Sequence, residues 1–222
     1  TGIESSFSGG PGSLNSNFLR GQDSVNYVLL IDGVKAQTDY LGNVKPYDIP
    51  ISQIYKIEVI KGNVSAIYGD AAVGGAINII TKPALSRDTA FGSIKYGSFG
   101  TREAVGSISK KLGAMDVTFG YSNLKTDGFN AIRGSQKPGI FFNTDEDGFE
   151  RTAYYTKLSS KITNKLSINA SINNSESALD QDNFYNNFAA PAVTSQADAD
   201  KYFYTFESTN KDSRLGFNYK YG

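Results

Sequence analysis

Residues 56–82 read Lys-Ile-Glu-Val-Ile-Lys-Gly-Asn-Val-Ser-Ala-Ile-Tyr-Gly-Asp-Ala-Ala-Val-Gly-Gly-Ala-Ile-Asn-Ile-Ile-Thr-Lys. Two short apolar runs, Ile57–Ile60 and Ala76–Ile80, predict strands. Between them lies a compact turn punctuated by Gly62, Gly69, Gly74 and Gly75, where the backbone must bend tightly or approach another backbone closely. Upstream, Val28–Ile31 reads as a buried strand. Asp32-Gly33 predicts a tight turn that returns the chain antiparallel from Val34. Glycine richness alone also suggests a phosphate loop, but that loop needs G-x-x-x-x-G-K-[ST]. No Lys-Ser or Lys-Thr pair follows a glycine at that spacing, and the residues after Gly75 read as a strand.

Composition narrows the chemistry. The chain has 222 residues, enough for one or two domains, with no cysteine, histidine or tryptophan. Cysteine nucleophiles, Cys/His zinc sites and histidine acid–base catalysis are therefore excluded, and no disulfide can form. Lys+Arg and Asp+Glu balance at 22 each, so there is no basic field for nucleic acid. Fourteen Tyr and fourteen Phe, with abundant Gly, Asn and Ser, suit a mainly β protein with polar loops. No run reaches the roughly 18–20 apolar residues of a membrane-spanning helix. Membrane β-strands alternate and remain open as a reading. No leader precedes Thr1, which is read as truncation or processing.

Composition shifts near Lys82-Pro83, after which alternating segments dominate. Met115, Val117, Phe119 and Tyr121 alternate with polar or small residues. So do Leu166, Ile168, Ala170 and Ile172, and again Leu215, Phe217, Tyr219 and Tyr221. Period two over roughly 8–10 residues is the pattern of a transmembrane strand. Weaker strands fit at 89–97, 102–111 and 151–162. At 202–210 the aromatics Tyr202, Tyr204 and Phe206 lie in opposite parity to Leu215 onward, which leaves a bulge or a loop open. Short links at Leu112–Ala114 and Thr163–Lys165 alternate with long ones at about 125–150 and 177–200, as periplasmic turns and outer loops do in barrels. Ser98–Thr101 is short where an outer loop is expected. A soluble sheet with one wet face would alternate in the same way.

The 56–82 stretch resembles the plug-domain signature of TonB-dependent outer-membrane receptors, near I-E-V-I-R-G-P-x-S-A-x-Y-G-x-x-A-x-G-G-x-I-N-I-I-T. Here Lys61 replaces the usual arginine and Asn63 the usual proline. The run from Asn17 through Arg20-Gly21 to Tyr27–Val34 resembles the family's I-R-G and V-L-V-L-I-D-G-V block. The signature residues carried by the resemblance are Arg20, Gly21, Asp32, Gly33, Glu58, Lys61, Gly62, Tyr68, Gly69, Gly74, Gly75 and Asn78. It implies a plug domain (α+β) over residues 1–83, lacking its earlier portion, followed over 84–222 by the first antiparallel strands of an incomplete transmembrane β-barrel. About six strands cannot close a barrel of the family's size, where roughly 22 surround a plug.

The resemblance further implies an outer-membrane receptor that captures a scarce nutrient chelate, an iron–siderophore or cobalamin. Import would follow plug rearrangement driven by the TonB energy-coupling complex, which would bind the missing N-terminal segment. Outer-membrane lipid is then a partner, nucleic acid is not, and no covalent chemistry is expected. A passive porin-like or adhesin-like outer-membrane β-protein, or a soluble β-rich binding domain, are the alternatives. The family's plug loops imply a ligand-contacting loop at Ala36–Tyr47, with Gln37, Tyr40, Leu41, Asn43 and Tyr47. Aromatics with amide donors suit a bulky chelate, though local packing explains the tyrosines equally. Phe129, Phe141, Phe142, Phe184, Tyr185 and Phe188 fall in the long segments.

Arg20 and Lys61 are either surface charges or plug cations paired with barrel acids, and Glu58 beside them would hold local register. Carboxylates spaced two apart, Asp145/Asp147 and Asp180/Asp182, are read as solvated loop charge, with calcium as the sharper alternative. No cofactor is otherwise expected. A polar lumen face is expected from Asn169, Ser171, Asn173, Asn218 and Lys220.

Overall fold

The computed structural model describes residues 2–7, 9–13, 15–36, 49–69, 72–130 and 146–182, and the backbone of 203–219. The chain opens with an antiparallel hairpin of β1 (Ile3–Phe7) and β2 (Asn15–Leu19). A four-stranded sheet follows from β3 (Tyr27–Ile31), β4 (Val34–Lys35), β5 (Ile54–Lys61) and β6 (Gly75–Thr81), in spatial order β4-β3-β6-β5. β3 and β6 run parallel at its centre, and β4 and β5 flank them antiparallel.

β3 reads as an unbroken apolar run because both faces of the sheet are covered. Leu29, Tyr27, Ile77, Ile79 and Leu19 form one buried cluster. Val28, Leu30, Ala72 and Ala76 form another on the opposite face, with Val64 and Tyr68 against them. The signature turn holds one helical turn, α1 (Ser65–Tyr68), which glycine spacing alone did not reveal. Asn63 starts it: its side-chain Oδ1 accepts the Ser65 N–H at 3.0 Å, an Asx turn in place of the usual proline.

Asp32 (φ 51°) and Gly33 (φ 82°) both adopt positive φ, as the tight β3–β4 turn requires. Gly75 has a different reason. Its φ is 140°, and a Cβ there would collide with the Ile60 carbonyl oxygen, so glycine lets β5 close onto β6.

A six-stranded antiparallel meander completes the described chain: β7 (Thr89–Tyr96), β8 (Arg102–Leu112), β9 (Met115–Thr126), β10 (Phe149–Lys161), β11 (Leu166–Asp182) and β12 (Phe203–Tyr219). All six expected strands are present, with two corrections. The segment 177–182, read as part of a long connection, is strand, because β12 pairs with all of it and β10 reaches as far as Leu179. Residues 203–219 form one strand whose register against β11 runs without a shift, so neither a bulge nor a loop separates the two aromatic runs. Turns at 113–114 and 162–165 lie at one end of the sheet. The Ser98–Thr101 turn and the strand ends Thr126, Phe149, Asp182 and Phe203 lie at the other.

The two faces of the meander differ sharply. One cross-strand row reads Ala90, Ile108, Phe119, Thr156 and Ile172, with Ile108, Phe119 and Ile172 exposed. The adjoining row on the opposite face reads Thr89, Ser109, Thr118, Lys157 and Ser171, with Ser109, Thr118 and Lys157 buried. Beside it, the ring of Tyr155 lies over its cross-strand partner Gly120, where a Cβ would collide with the ring. Apolar side chains thus face outward and polar ones face the four-stranded sheet. Among the described residues, no helix is long and apolar enough to cross a membrane.

Two glycine substitutions separate backbone strain from steric closure. Gly33→Ala meets no atom within 4 Å and is expected to cost only its left-handed φ, about 1 kcal/mol. Gly75→Ala adds the collision with Ile60 and is expected to cost clearly more. Hydrogen exchange at the Ile77–Ile79 amides of the purified protein reads both, and equal protection in the two variants would contradict this account.

Candidate functional site

The two large sheets meet at the end of β6. The Asp32 carboxylate, held in its turn, accepts the Thr81 backbone N–H at 2.7 Å and the Thr81 hydroxyl at 2.5 Å. From the meander, the Lys157 ammonium donates to the Thr81 hydroxyl oxygen and to the Lys82 carbonyl, the latter at 2.5 Å. Lys157 is only 6% exposed, so its charge is held by these contacts rather than by bulk water. The Lys82 N–H donates to the Gln53 carbonyl at 2.8 Å, which draws the start of β5 to the same point. Three residues on, the Leu85 N–H reaches the Thr118 hydroxyl at 3.2 Å, and Thr118 shares a hydrogen bond with Ser109 at 2.9 Å. A cavity of about 400 Å³ adjoins this joint, lined by Asp32, Val34, Lys157, Asn169 and Ser171 among others.

Several signature residues are cross-ties within the four-stranded sheet. Asn78 Oδ1 accepts the Gly33 N–H at 3.1 Å, and the Asp32 N–H donates to Ile79, so the β3–β4 turn is fastened to the neighbouring parallel strand. Arg20 (φ 56°) and Gly21 (φ 74°) form a tight turn closed by reciprocal Leu19–Gln22 backbone bonds. Tyr68 packs on the Val28–Ala76 cluster. Gly62 takes positive φ at the start of the signature turn, and Gly69 does so directly after α1. Gly74 sits tightly on Gln22 and Asn26, and its N–H donates to the Asn26 carbonyl at 2.8 Å.

Glu58 stands opposite Asn78 in the β5–β6 register and pairs with Lys56 at 2.6 Å, not with Arg20 or Lys61. The hydrogen bond to Glu58 raises the Lys56 ammonium above its usual range, and the same bond lowers the Glu58 carboxyl. Burial, and then the nearby Asp23 charge, push the Tyr27 phenol upward. Arg20 and Lys61 are exposed and, among the described residues, enter none of the ion pairs. The cation that does bridge the sheets comes from the wall, as Lys157, and reaches plug-side oxygens. Its only trace in the sequence is a lysine in phase with Arg151, Ala153 and Tyr155 on an alternating strand.

Gln37, Tyr40, Leu41, Asn43 and Tyr47 lie outside the described residues, as do Phe141, Phe142, Phe184, Tyr185, Phe188 and Asp145. Asn169 and Ser171 line the cavity at the joint, and Asn173 shares their parity on β11. The side chain of Asn218, and Lys220 altogether, fall outside the described set. Asp180 lies on strand β11, not in a loop, and the Asp182 side chain is outside the described set. Among the described residues no three carboxylates converge as metal ligands.

Residues 1–76 match the TonB-dependent Receptor Plug Domain family. The vitamin B12 transporter BtuB of Photobacterium profundum is 30% identical over 192 residues, 86% of this chain and 30% of that protein. The chain belongs to the TonB-dependent receptor family. A second BtuB, from Vibrio vulnificus, is also 30% identical, over 75% of this chain and 26% of that protein. The chain therefore spans about 30% or less of the length of these relatives.

In fold, the pyoverdine outer membrane receptor FpvA of Pseudomonas aeruginosa superposes with a TM-score of 0.64 at 15% identity, over 82% of this chain and 25% of that one. A ferric enterobactin receptor, PfeA, of the same species gives 0.57 at 20% identity, over 80% and 29%. These relatives are receptors and transporters, not enzymes. Membership places the receptor in the bacterial outer membrane, with the four-stranded sheet in its plug and the meander in its barrel wall. The apolar outward row then faces lipid. It ends at Tyr121 and Tyr154, whose rings are tilted against each other with centroids 5.2 Å apart, beyond which come the Asn123–Thr152 bond and the Lys125–Glu150 pair.

The joint and the lipid face can each be tested by substitution. Asp32→Ala removes both Thr81 acceptors and is expected to cost about 1.5–3 kcal/mol, seen as faster hydrogen exchange at Thr81 and Gly33. Phe119→Arg is expected to cost about 2–4 kcal/mol near the mid-membrane, seen as loss of the heat-modifiable form on electrophoresis. Phe119→Leu is expected to retain that form.

Proposed function

We propose that this receptor is an active importer of a bulky metal chelate, with cobalamin the first ligand to test and an iron–siderophore the second. One observation carries the reading: a sheet bearing the plug signature is held by polar contacts against the polar face of a wall whose other face is apolar. Such a plug seals the barrel at rest, and its contacts with the wall are ones that water can replace, so it can rearrange without exposing apolar surface. The plug is assigned to residues 1–83 and the wall to 84–222, the division falling just after the Thr81–Lys157 joint. The family match supports coupling to the TonB complex as the source of work. Sequence likeness to vitamin B12 transporters favours cobalamin, while the siderophore receptors share the fold at lower identity.

By the orientation in which short turns are periplasmic and long connections extracellular, β10 and β11 carry their joint-side residues, Lys157 and Ser171, toward the periplasmic end. The 36–47 segment is proposed as the floor of the ligand site. Calcium in the outer loops remains a proposal of the same rank, tested by titrating the purified receptor calorimetrically.

Uptake of radiolabelled cobalamin is measured in cells with and without the receptor, each with and without a protonophore. Receptor-dependent uptake that collapses with the proton gradient is expected. Uptake indifferent to the protonophore would instead indicate a passive pore, and absence of uptake with ferric siderophore import would move the ligand class. Tyr40→Ala with Tyr47→Ala is expected to weaken ligand binding at least tenfold, and unchanged affinity would remove the 36–47 segment from the site.

A further inference from the structure

Among the described residues, contacts between plug and wall stand at both ends. At the extracellular end Gly10 and Gly12 lie against the rings of Phe129 and Phe149. At the periplasmic end the contacts are polar and converge on one wall side chain, Lys157. The cross-strand neighbours of Lys157 on the wall, Thr118 and Ser171, are neutral hydroxyls. Its ammonium is buried and directed at the plug's last strand. Asp32 stands directly behind Thr81, so the ammonium, the hydroxyl and the carboxylate form one relay from wall to plug. Gln53 adds β5 to that end through Lys82. The covalent link from Thr81 to Thr89 reaches at most roughly 29 Å, which limits but does not fix the distance between plug and wall.

We propose that Lys157 is a positioning residue that moors the periplasmic end of the plug to the barrel wall and keeps the adjoining cavity closed to passive flow. The inference rests on the plug-and-wall reading of the importer. Any water that entered between the sheets at this end would reach the cavity lined by Asp32, Val34, Lys157, Asn169 and Ser171. The ammonium closes that route by drawing Thr81 and Lys82 onto the wall. Because it grips a hydroxyl and a carbonyl and not an apolar surface, the same contact can be exchanged for water when work is applied.

The test uses the receptor in intact cells, with Lys157→Met, Lys157→Arg and wild type. Passive entry of a bulky hydrophilic antibiotic that the outer membrane normally excludes is measured beside ligand affinity and energised uptake. Lys157→Met is expected to raise passive entry at least fivefold, with ligand affinity within twofold of wild type and the heat-modifiable barrel band retained. Lys157→Arg, which keeps the charge and donors, is expected to restore the seal. Folded Lys157→Met with wild-type passive entry would overturn the proposal. If Lys157→Met yields no folded barrel, Thr81→Val is read instead: it removes the hydroxyl that Lys157 grips and leaves the lysine in place. A wild-type seal in that variant would equally overturn the mooring. Loss of energised uptake in wild type would count against the importer reading and not against the mooring, so the two failures are distinguishable.

Discussion

A single hydroxyl stands where the two sheets meet. The Thr81 oxygen donates its proton to Asp32 and accepts one from Lys157. The first bond belongs to the plug and fastens the β3–β4 turn to β6. The second comes from the wall and brings a buried cation across to the plug. Charge-assisted hydrogen bonds of this kind are about twice as strong as neutral ones, and a buried ammonium without its acceptors would be costly. The position of the plug therefore depends on geometry set by one turn with positive φ at Asp32 and Gly33.

The wall solves the reverse of the usual packing problem. A soluble sheet turns its apolar face to a core, whereas here Ile108, Phe119 and Ile172 point away from the plug and Ser109, Thr118 and Lys157 point toward it. A lipid environment makes that inversion favourable, because the outward row is then buried in hydrocarbon and the inward row meets polar groups of the plug. Tight packing persists inside nonetheless, as the Tyr155 ring over Gly120 shows. The four-stranded sheet has a conventional core on both faces, so the plug holds its own shape while its contacts with the wall stay polar.

The fold was largely legible because its signals are local. Period-two alternation placed the wall strands, Asp32-Gly33 placed the turn, and the glycine-punctuated stretch placed β5 and β6. The misplaced stretch was 177–182, where Ser177, Asp180 and Asp182 suit a connection, yet β12 pairs with all of it and β10 with its first three residues. The parity break before Leu215 leaves a bulge or a loop open, yet the backbone register continues through it, since pairing constrains the main chain and not the order of aromatic side chains. At the joint the legible part was half the relay. Asp32 stood in the motif, whereas Lys157 lies 76 residues beyond Thr81 and met it only through the meander's return. Arg20 and Lys61 are expected either as surface charges or as plug cations facing acids in barrel strands other than these six. The described strands add a contact of the opposite sense, a wall cation and a plug carboxylate meeting at Thr81.

The central claim is that the four-stranded sheet lies against the inner face of the meander within the outer membrane. Cysteines introduced at Val34 and Ser171, which line the same cavity, test it directly in cells by reaction with a short bifunctional crosslinker. Val34 with Ile172, one residue on and facing the other way, is the control. The structure predicts efficient crosslinking of Val34 to Ser171 and none to Ile172. Equal yields for the two pairs, or none for the first, would contradict the placement of the plug.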